Sequence, residues 1–483
     1  MKIKNWRSRV LRPRFTLAAL LLLITLFAPW LAYLSYLRRQ NDLRKEAYQK
    51  AIDKGMLLKP SNGRAAPSPP TAERAAEARK VWTALLGDSK LPNFARVQIH
   101  DFFGKKRPRP PITDKDLEGL QYLPEIEHFD FYYSKDVTDQ GLAVLGKLPK
   151  LKWIMLNELS LITGEFLDHF PDDCALENIT FSSLNGLDGR KLKSLGRLRN
   201  LKTLSIHGGP ALNDESLREV HLSTSVTDLK IYGDAVGDET LTRWLSELRL
   251  ERLAMHCRVS RAIAPALAQQ TNLYVLEVSN APLLDEDFAF LKNCSQLKSL
   301  QLSGLPLNGK LLDYLAYPEK VDLLELENMP LTDDCVPRLT KLKTLKILSL
   351  AWTPLSGEGF EEPLLPNPWS LSLAGVRLSD AGKDAFAKWN ELRDMKLPSN
   401  WSPEDDRRFA PGKAPSPLYR NGYFVMKSSG EGLASQSYMP ALRLGKIDNC
   451  PADLMKPVAE LQAIGLAEDK AWRQWDEERR AKP

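Results

Sequence analysis

One apolar pattern recurs through more than half of this chain and restricts what it can fold into. From Phe129 to Met395 the motif Leu-x-x-Leu-x-Leu, or an apolar equivalent, returns every 23 to 25 residues. Its central positions are Phe129, Ile154, Ile179, Leu204, Leu229, Leu253, Leu276, Leu300, Leu324, Leu348, Leu371 and Met395. A unit this short cannot bury its own apolar face and must stack on its neighbours, so twelve of them in tandem predict a solenoid. A solenoid supplies a surface, and the repeat alone does not say what that surface holds.

Within a unit the period changes. Leu297, Leu300 and Leu302 mark a short strand, and a helical segment follows through Leu311, Leu312 and Leu315. Thr113-Asp114, Thr138-Asp139, Gly237-Asp238, Thr332-Asp333 and Ser379-Asp380 each precede an apolar helical run and read as helix N-caps. These residues resemble the leucine-rich repeat family over residues 123–400. The resemblance implies a right-handed α/β solenoid, a horseshoe of about 12 repeats with parallel strands on the concave side and helices on the convex side. The Thr-Asp helix start is similar to that of signal-anchored leucine-rich repeat proteins abundant in planctomycete bacteria. The chain departs from the commonest repeat in one slot, where Asn or Cys is replaced by Leu305, Met329, Thr353, Val376 or Asp234. That loss predicts less uniform loops.

Phe15 to Leu37 are 23 residues without a charge, enough helix at 1.5 Å per residue to cross a hydrocarbon core of about 30 Å. Trp30, Tyr33 and Tyr36 lie toward the end of this stretch, where aromatic rings suit the membrane interface. The expectation is an uncleaved transmembrane anchor. A cleaved signal peptide is the rival, but no Ala-x-Ala site precedes Arg38-Arg39. Six Lys or Arg precede the span and five follow it up to Lys50, which favours an N-terminus on the cytoplasmic side and the repeats outside. Residues 1–50 are net +9 against +6 for the whole chain, leaving residues 51–483 at −3. A mildly acidic body argues against nucleic acid as the partner.

The expected organisation is a basic tail (1–14), the anchor (15–37), a helical stalk and Pro-rich linker (38–72), an N-terminal cap (73–122), the repeats (123–400) and a C-terminal tail or cap (401–483). The cap rests on a helical pattern from Glu73 to Leu86 and a first strand at Val97 and Ile99. Arg38 to Lys54 is expected to continue the membrane helix as far as Gly55. Five cysteines without regular spacing give no metal or disulfide framework; Cys294 and Cys335 align with apolar core slots. Cys450 lacks the surroundings of a ubiquitin-ligase-like nucleophile. Ser295 to Lys298 match Ser-x-x-Lys and His207-Gly208-Gly209 resembles an oxyanion loop, but both fall inside the repeat grammar. The chain is therefore read as a non-enzyme without cofactors.

With the fourth and sixth positions buried, the third, fifth and seventh face outward on the concave side. The first half of that face carries bulky groups, and six are the candidate ligand contacts: His128, Tyr132, Trp153, His207, Tyr232 and His256. Later strands offer mainly Ser299, Ser303, Ser349, Ser370, Ser372, Ala351 and Ala374, with Glu277, Glu325 and Glu327. The aromatic groups read equally well as mutual cross-strand packing. His207 and His256 lie two strands apart, about 10 Å between backbones, with Tyr232 between them and no third ligand, which disfavours a metal site. The favoured function is a membrane-tethered module binding a protein, peptide or polysaccharide. The alternative is an envelope scaffold that assembles laterally without a discrete ligand site.

Overall fold

The computed structural model describes residues 17–59, 94–100, 111–209, 211–233, 236–360, 370–388, 394–400, 402, 405–408 and 418–419. Fifteen strands form one sheet in sequence order: β1 (Leu57–Lys59), β2 (Arg96–His100), β3 (His128–Thr138), β4 (Trp153–Leu161), β5 (Asn178–Ser182), β6 (Thr203–His207), β7 (Asp228–Tyr232) and β8 (Arg252–His256), then β9 (Val275–Ser279), β10 (Ser299–Ser303), β11 (Leu323–Glu327), β12 (Ile347–Ser349), β13 (Ser370–Ser372), β14 (Asp394–Lys396) and β15 (Leu418–Tyr419). Only the β1–β2 pair is antiparallel. Phe129 pairs with Ile154, Ile154 with Ile179, Leu300 with Leu324 and Leu371 with Met395, so the twelve central apolar positions form one row across adjacent strands. From Phe129 to Leu371 that row is fully buried. The architecture is a leucine-rich-repeat-like α/β solenoid.

The convex side differs from a row of α-helices. The segment expected to be helical after Leu307 is a 3-10 turn, Lys310–Tyr314, and most other repeats use 3-10 turns or four-residue helices. Asp238–Glu247 and Asp380–Ala387 are the longer exceptions. The cause is length. A 3-10 helix rises about 2.0 Å per residue against about 1.5 Å for an α-helix, so it spans the depth of a unit with fewer residues.

The Thr-Asp pairs do more than cap their own helices. Thr138 accepts from Gln140 N–H and Ser379 from Gly382 N–H, as an N-cap should. The aspartate instead reaches the helix start of the next repeat: Asp139 accepts from the amides of Thr163, Gly164 and Phe166 at 2.8–3.1 Å. Asp214 does the same for Gly237 and Thr240, Asp285 for Asn308 and Leu311, and Asp333 for Ser356 and Gly357. A ladder of carboxylates on orphan helix amides thus staples each unit to its successor.

Nor does the missing Asn disorder the strand exits. Leu305, Met329, Thr353 and Val376 are buried, and the residue before each is left-handed: Gly304, Asn328, Trp352 and Gly375. Ser183, Gly208 and Asn280 repeat that conformation at earlier strand exits, and Tyr133 and Glu158 at the equivalent positions inside the longer β3 and β4. A side chain is tolerated there at some strain, but Gly375 is required, because a Cβ on it would stand 2.4 Å from the ring of Trp352.

The N-terminal end of the sheet is covered by the stalk. Helix α1 (Leu17–Asp53) is continuous and stops before Gly55, at φ 78°, from which the chain turns into β1. Ala47, Ala51 and Met56 are buried, Tyr48 meets Phe94 with ring centroids 5.6 Å apart, and Gly119 has no side chain where Ala47 packs. Arg44 pairs with Glu125 at 2.6 Å and Lys54 with Asp116 at 3.0 Å. The cap helix expected at Glu73–Leu86 and nearly all of 401–483, including Cys450, lie outside the described residues, as do Asp234 and the side chains of 17–27. Among the described residues no helix is long and apolar enough to cross a membrane; of the stretch from Phe15 to Leu37, residues 15–16 and the side chains of 17–27, 29 and 30 lie outside that description. Cys294 and Cys335 sit in the core as small apolar groups, and burial pushes their thiols up to about 11 and about 12.

Candidate ligand-binding face

Strand alternation sets the outward face. In β5, β7 and β11 buried and half-exposed residues alternate strictly, with the third, fifth and seventh positions of the unit outward. Because every neighbouring pair is in register, like positions form rows across the strands.

The seventh-position row brings three of the six candidates together. His207, Tyr232 and His256 pair on β6, β7 and β8, and their rings stack: centroids are 4.2 Å apart between His207 and Tyr232, and 4.6 Å between Tyr232 and His256, within 18° of parallel. Tyr232 therefore fills the space in which two imidazoles would have to converge on a metal. Among the described residues no group of three or more His, Cys, Asp or Glu has metal-binding geometry.

Beneath this stack, on the third- and fifth-position rows, lie charges of both signs. Lys230 Nζ is 3.5 Å from Asp228, whose other carboxylate oxygen is buried without a hydrogen-bond partner. Arg252 on β8 stands 3.9 Å from Asp228 and donates to the hydroxyl of Tyr274 at 3.1 Å, with its Nε buried and unbonded. Glu277 on β9 lies 3.5 Å from His256 Nε2 and accepts from Gln301 at 3.3 Å. Between Lys230 and Glu277 the row holds only Ala254, which is buried and leaves the two longer side chains to flank it.

The electrostatics follow from half-burial. Desolvation pushes the Tyr232 hydroxyl up to about 12, helped by the carboxylates of Glu277 and Asp228. Desolvation also lowers His207, reinforced by Lys230 and His256, and His207 Nε2 shares a 2.9 Å hydrogen bond with Ser205. Hydrogen bonding from His256 holds Glu277 below its usual range, whereas burial raises Asp228 against the pull of Lys230 and Arg252.

The other three candidates form a separate patch. His128 and Trp153 meet at 6.2 Å, tilted by 32°, and Tyr132 donates to Met155 Sδ at 3.2 Å. Burial, then the charge of Asp130, raises the Tyr132 hydroxyl. Asp130 is wholly buried and bound by Arg96 Nε at 2.5 Å, while its second oxygen and Trp153 Nε1 are buried without hydrogen-bond partners among the described residues. Strand β5, with Asn178, Thr180 and Ser182 outward, separates this patch from the histidine-tyrosine stack. The six candidates thus fall into two sets, each held by its own packing.

Choosing by aromatic bulk passed over Asp228, Lys230, Arg252 and Glu277, although the same register places all of them outward. The available signal was a pair of opposite charges in one row, Lys230 and Glu277, separated by a small residue. Arg96 was legible too, as the residue before Val97 in the first strand.

No family model matches this chain, and no curated protein does. Among solved structures, an internalin from Listeria monocytogenes is 18% identical, with 62% of this chain and 92% of that chain covered at a TM-score of 0.44. A leucine-rich repeat protein from Leptospira interrogans is 15% identical, with coverage of 60% and 77% at a TM-score of 0.39. Internalin C2 from Listeria monocytogenes is 20% identical over 50% of this chain and 84% of that one, at 0.31. Likenesses at this distance carry no argument about partner or activity.

Proposed function

We propose that this chain is a membrane-tethered recognition module that seats a protein or peptide on the outward face of β6–β9. The observation that supports it most is the set of half-buried charges, Asp228, Lys230, Arg252 and Glu277, gathered around the Tyr232 stack. Such groups cost folding energy to desolvate and contribute nothing to the core, which is the make-up of a contact surface centred on an aromatic anchor. Mixed charge suits a peptide, with donors, acceptors and side chains of both signs, better than a phosphate backbone, which needs a basic face. The tether rests on the 23 uncharged residues and on a helix that is continuous from Leu17. In this reading His128, Tyr132 and Trp153 form a second, outlying patch.

Binding is favoured over catalysis for a local reason. The Ser205–His207 pair has the spacing of a nucleophile and its base, but Ser205 is only 5% exposed and no acid is hydrogen-bonded to the imidazole.

The test is capture from native membranes by the full chain in detergent, comparing wild type with a Lys230→Ala, Tyr232→Ala double variant of unchanged melting profile. Loss of more than about thirtyfold in affinity is expected, since removing one central contact costs about 2 kcal/mol and loss of the Lys230 charge adds to it. Equal capture by both forms, with loss only on convex substitutions, would instead establish the lateral scaffold. Captured nucleic acid or polysaccharide, removed by nuclease or glycosidase, would replace the ligand class.

A further inference from the structure

The two rims of the solenoid carry opposite charge, and α1 leaves from the basic one. At the rim where strands end and helices begin, Asp136, Glu158, Glu215, Glu239, Asp334 and Glu358 are exposed with no ion pair among the described residues, and Asp139, Asp214, Asp285 and Asp333 add carboxylates bonded to backbone amides, against the exposed cations Lys115, Lys135, Arg258, Lys310 and Arg377. The rim where strands begin is the reverse. Lys150, Arg199, Lys298 and Lys343 are exposed there with no ion-pair partner among the described residues. Lys147, Arg249 and Lys320 bond only to neutral groups. Most acids on this rim are already neutralised, as in Glu125–Arg44, Glu127–Lys152, Glu177–Lys202 and Asp322–Lys346, which leaves Asp173, Glu251 and Glu319.

The direction of α1 follows from its contacts. Arg44 meets Glu125 in the turn before β3, whereas Lys54, ten residues on, meets Asp116 at the start of the first convex segment. The helix therefore lies antiparallel to residues 114–122 and parallel to the strands, and everything before Arg44 projects past the strand-start rim. Leu37, the last residue of the uncharged stretch, is seven residues before Arg44, or about 10 Å at 1.5 Å per residue. The headgroup layer of one leaflet is about 5–7 Å thick, the difference between a hydrocarbon core of about 30 Å and a bilayer of 40–45 Å halved. Arg38 and Arg39, both exposed, fall within that layer, and the rim begins at its outer boundary, within a Debye length of about 8 Å.

We propose that the strand-start rim lies flat on the anionic headgroups of the membrane that α1 enters, so that the solenoid stands with its strands roughly along the membrane normal and its ligand face opening sideways. This rests on the anchored reading above. The packing of Ala47, Ala51 and Tyr48 couples the helix directly to the first repeats. Attraction of basic groups to an anionic surface supplies the rest.

The experiment is amine-reactive footprinting of the full wild-type chain reconstituted in nanodiscs, one set of phosphatidylcholine alone and one containing a third phosphatidylglycerol. Protection of residues 15–37 from added protease reports insertion independently. With insertion established, labelling of Lys150, Lys298 and Lys343 is expected to fall at least about fivefold in the anionic discs relative to Lys135 and Lys310, and to recover at about 1 M salt, where the screening length is about 3 Å. Equal labelling of both rims in inserted protein overturns the proposal and leaves the anchor standing. Failure to insert removes the anchor and the proposal together.

Discussion

The outward faces of β6–β9 and β10–β13 sit on nearly the same core and differ in almost everything else. In both, the fourth- and sixth-position residues are buried: Leu229 and Ile231 in one, Leu324 and Leu326 in the other. Outward, β6–β9 carry a three-ring stack over four charges, while β10–β13 carry Ser303, Ser349, Ala351, Ser372 and Ala374, with Glu327 accepting from the Ser349 hydroxyl. Stability is therefore expected to be spread evenly along the repeats, and recognition is expected to be concentrated in the first half. A nearest-neighbour solenoid permits this division, because each unit is stabilised by its stacking contacts whatever its outer face presents.

The largest test of that division is in the core. Leu229→Ala and Leu300→Ala each remove a fully buried side chain and should each cost about 2–5 kcal/mol in denaturant melts, whereas Ser303→Ala should cost much less. A large difference between the two leucines would break the claim of a uniform core.

The carboxylate ladder comes next. Asp139→Ala strands three amides of the following repeat, and hydrogen bonds to a charged group contribute about 1.5–3 kcal/mol. Asp333→Ala should cost a similar amount in the second half, where Ser356 N–H, Ser356 Oγ and Gly357 N–H lose their acceptor. Asp→Asn at either site should recover part of the loss, since the amide oxygen still accepts. A silent Asp139→Ala would show that water replaces the staple freely.

These two expectations mark how far the sequence could be read. The strand row from Phe129 to Met395 was legible because burial imposes a period on residue type, and a one-residue slip would turn every side chain to the other face. The Thr-Asp helix start was legible as a cap, but its second function was not, because the amides it serves lie in the next repeat and leave no mark on local sequence. The packing of α1 on the first repeats was hidden for a related reason: Ala47, Ala51 and Gly119 signal closeness by being small, and small residues are ambiguous. At the outward face of β6–β9 the register was legible, and choosing by bulk left out the charges beside the rings. Tyr232, His207 and His256 stood out by bulk, whereas the importance of Lys230 and Glu277 depends on Ala254 between them, which shows only when the strands are laid side by side.

Binding sharpens the comparison further. Tyr232→Ala alone should weaken ligand capture by about 2 kcal/mol, and Lys230→Ala should lower the association rate and its salt sensitivity, while Ser349→Ala and Ser372→Ala leave affinity within a factor of about two. Trp153→Ala, in the outlying patch, is expected to fall between these. Competition by titration calorimetry or surface plasmon resonance with the isolated partner would rank the five. A ranking led by Ser349 would move the site to the second half.

The smallest expected effect is on the response to acid, and it separates the halves without any ligand. All six histidines lie at or before His256, so protonation of imidazole acts only on the first half of the solenoid. His207 is held below its ordinary 6.5 by burial and then by Lys230 and His256. The unfolded chain thus takes up a proton near pH 6.5, whereas the folded chain does so only at lower pH, and the stability of the folded form must fall as pH drops from 6.5 toward the folded value. Glu277 has the carboxylate sign: held below 4.5, it stabilises the fold above that pH and ceases to do so only as pH falls further, so its window lies below the range from pH 7.5 to 5.5. Native-state hydrogen exchange between pH 7.5 and 5.5, corrected for intrinsic rates, should show protection lost around Leu204–Ile231 and retained around Leu300–Leu326. His207→Gln should flatten the first response and leave the second untouched. If protection fell equally in both halves, the acid response would belong to the whole array and not to the imidazole stacked on Tyr232.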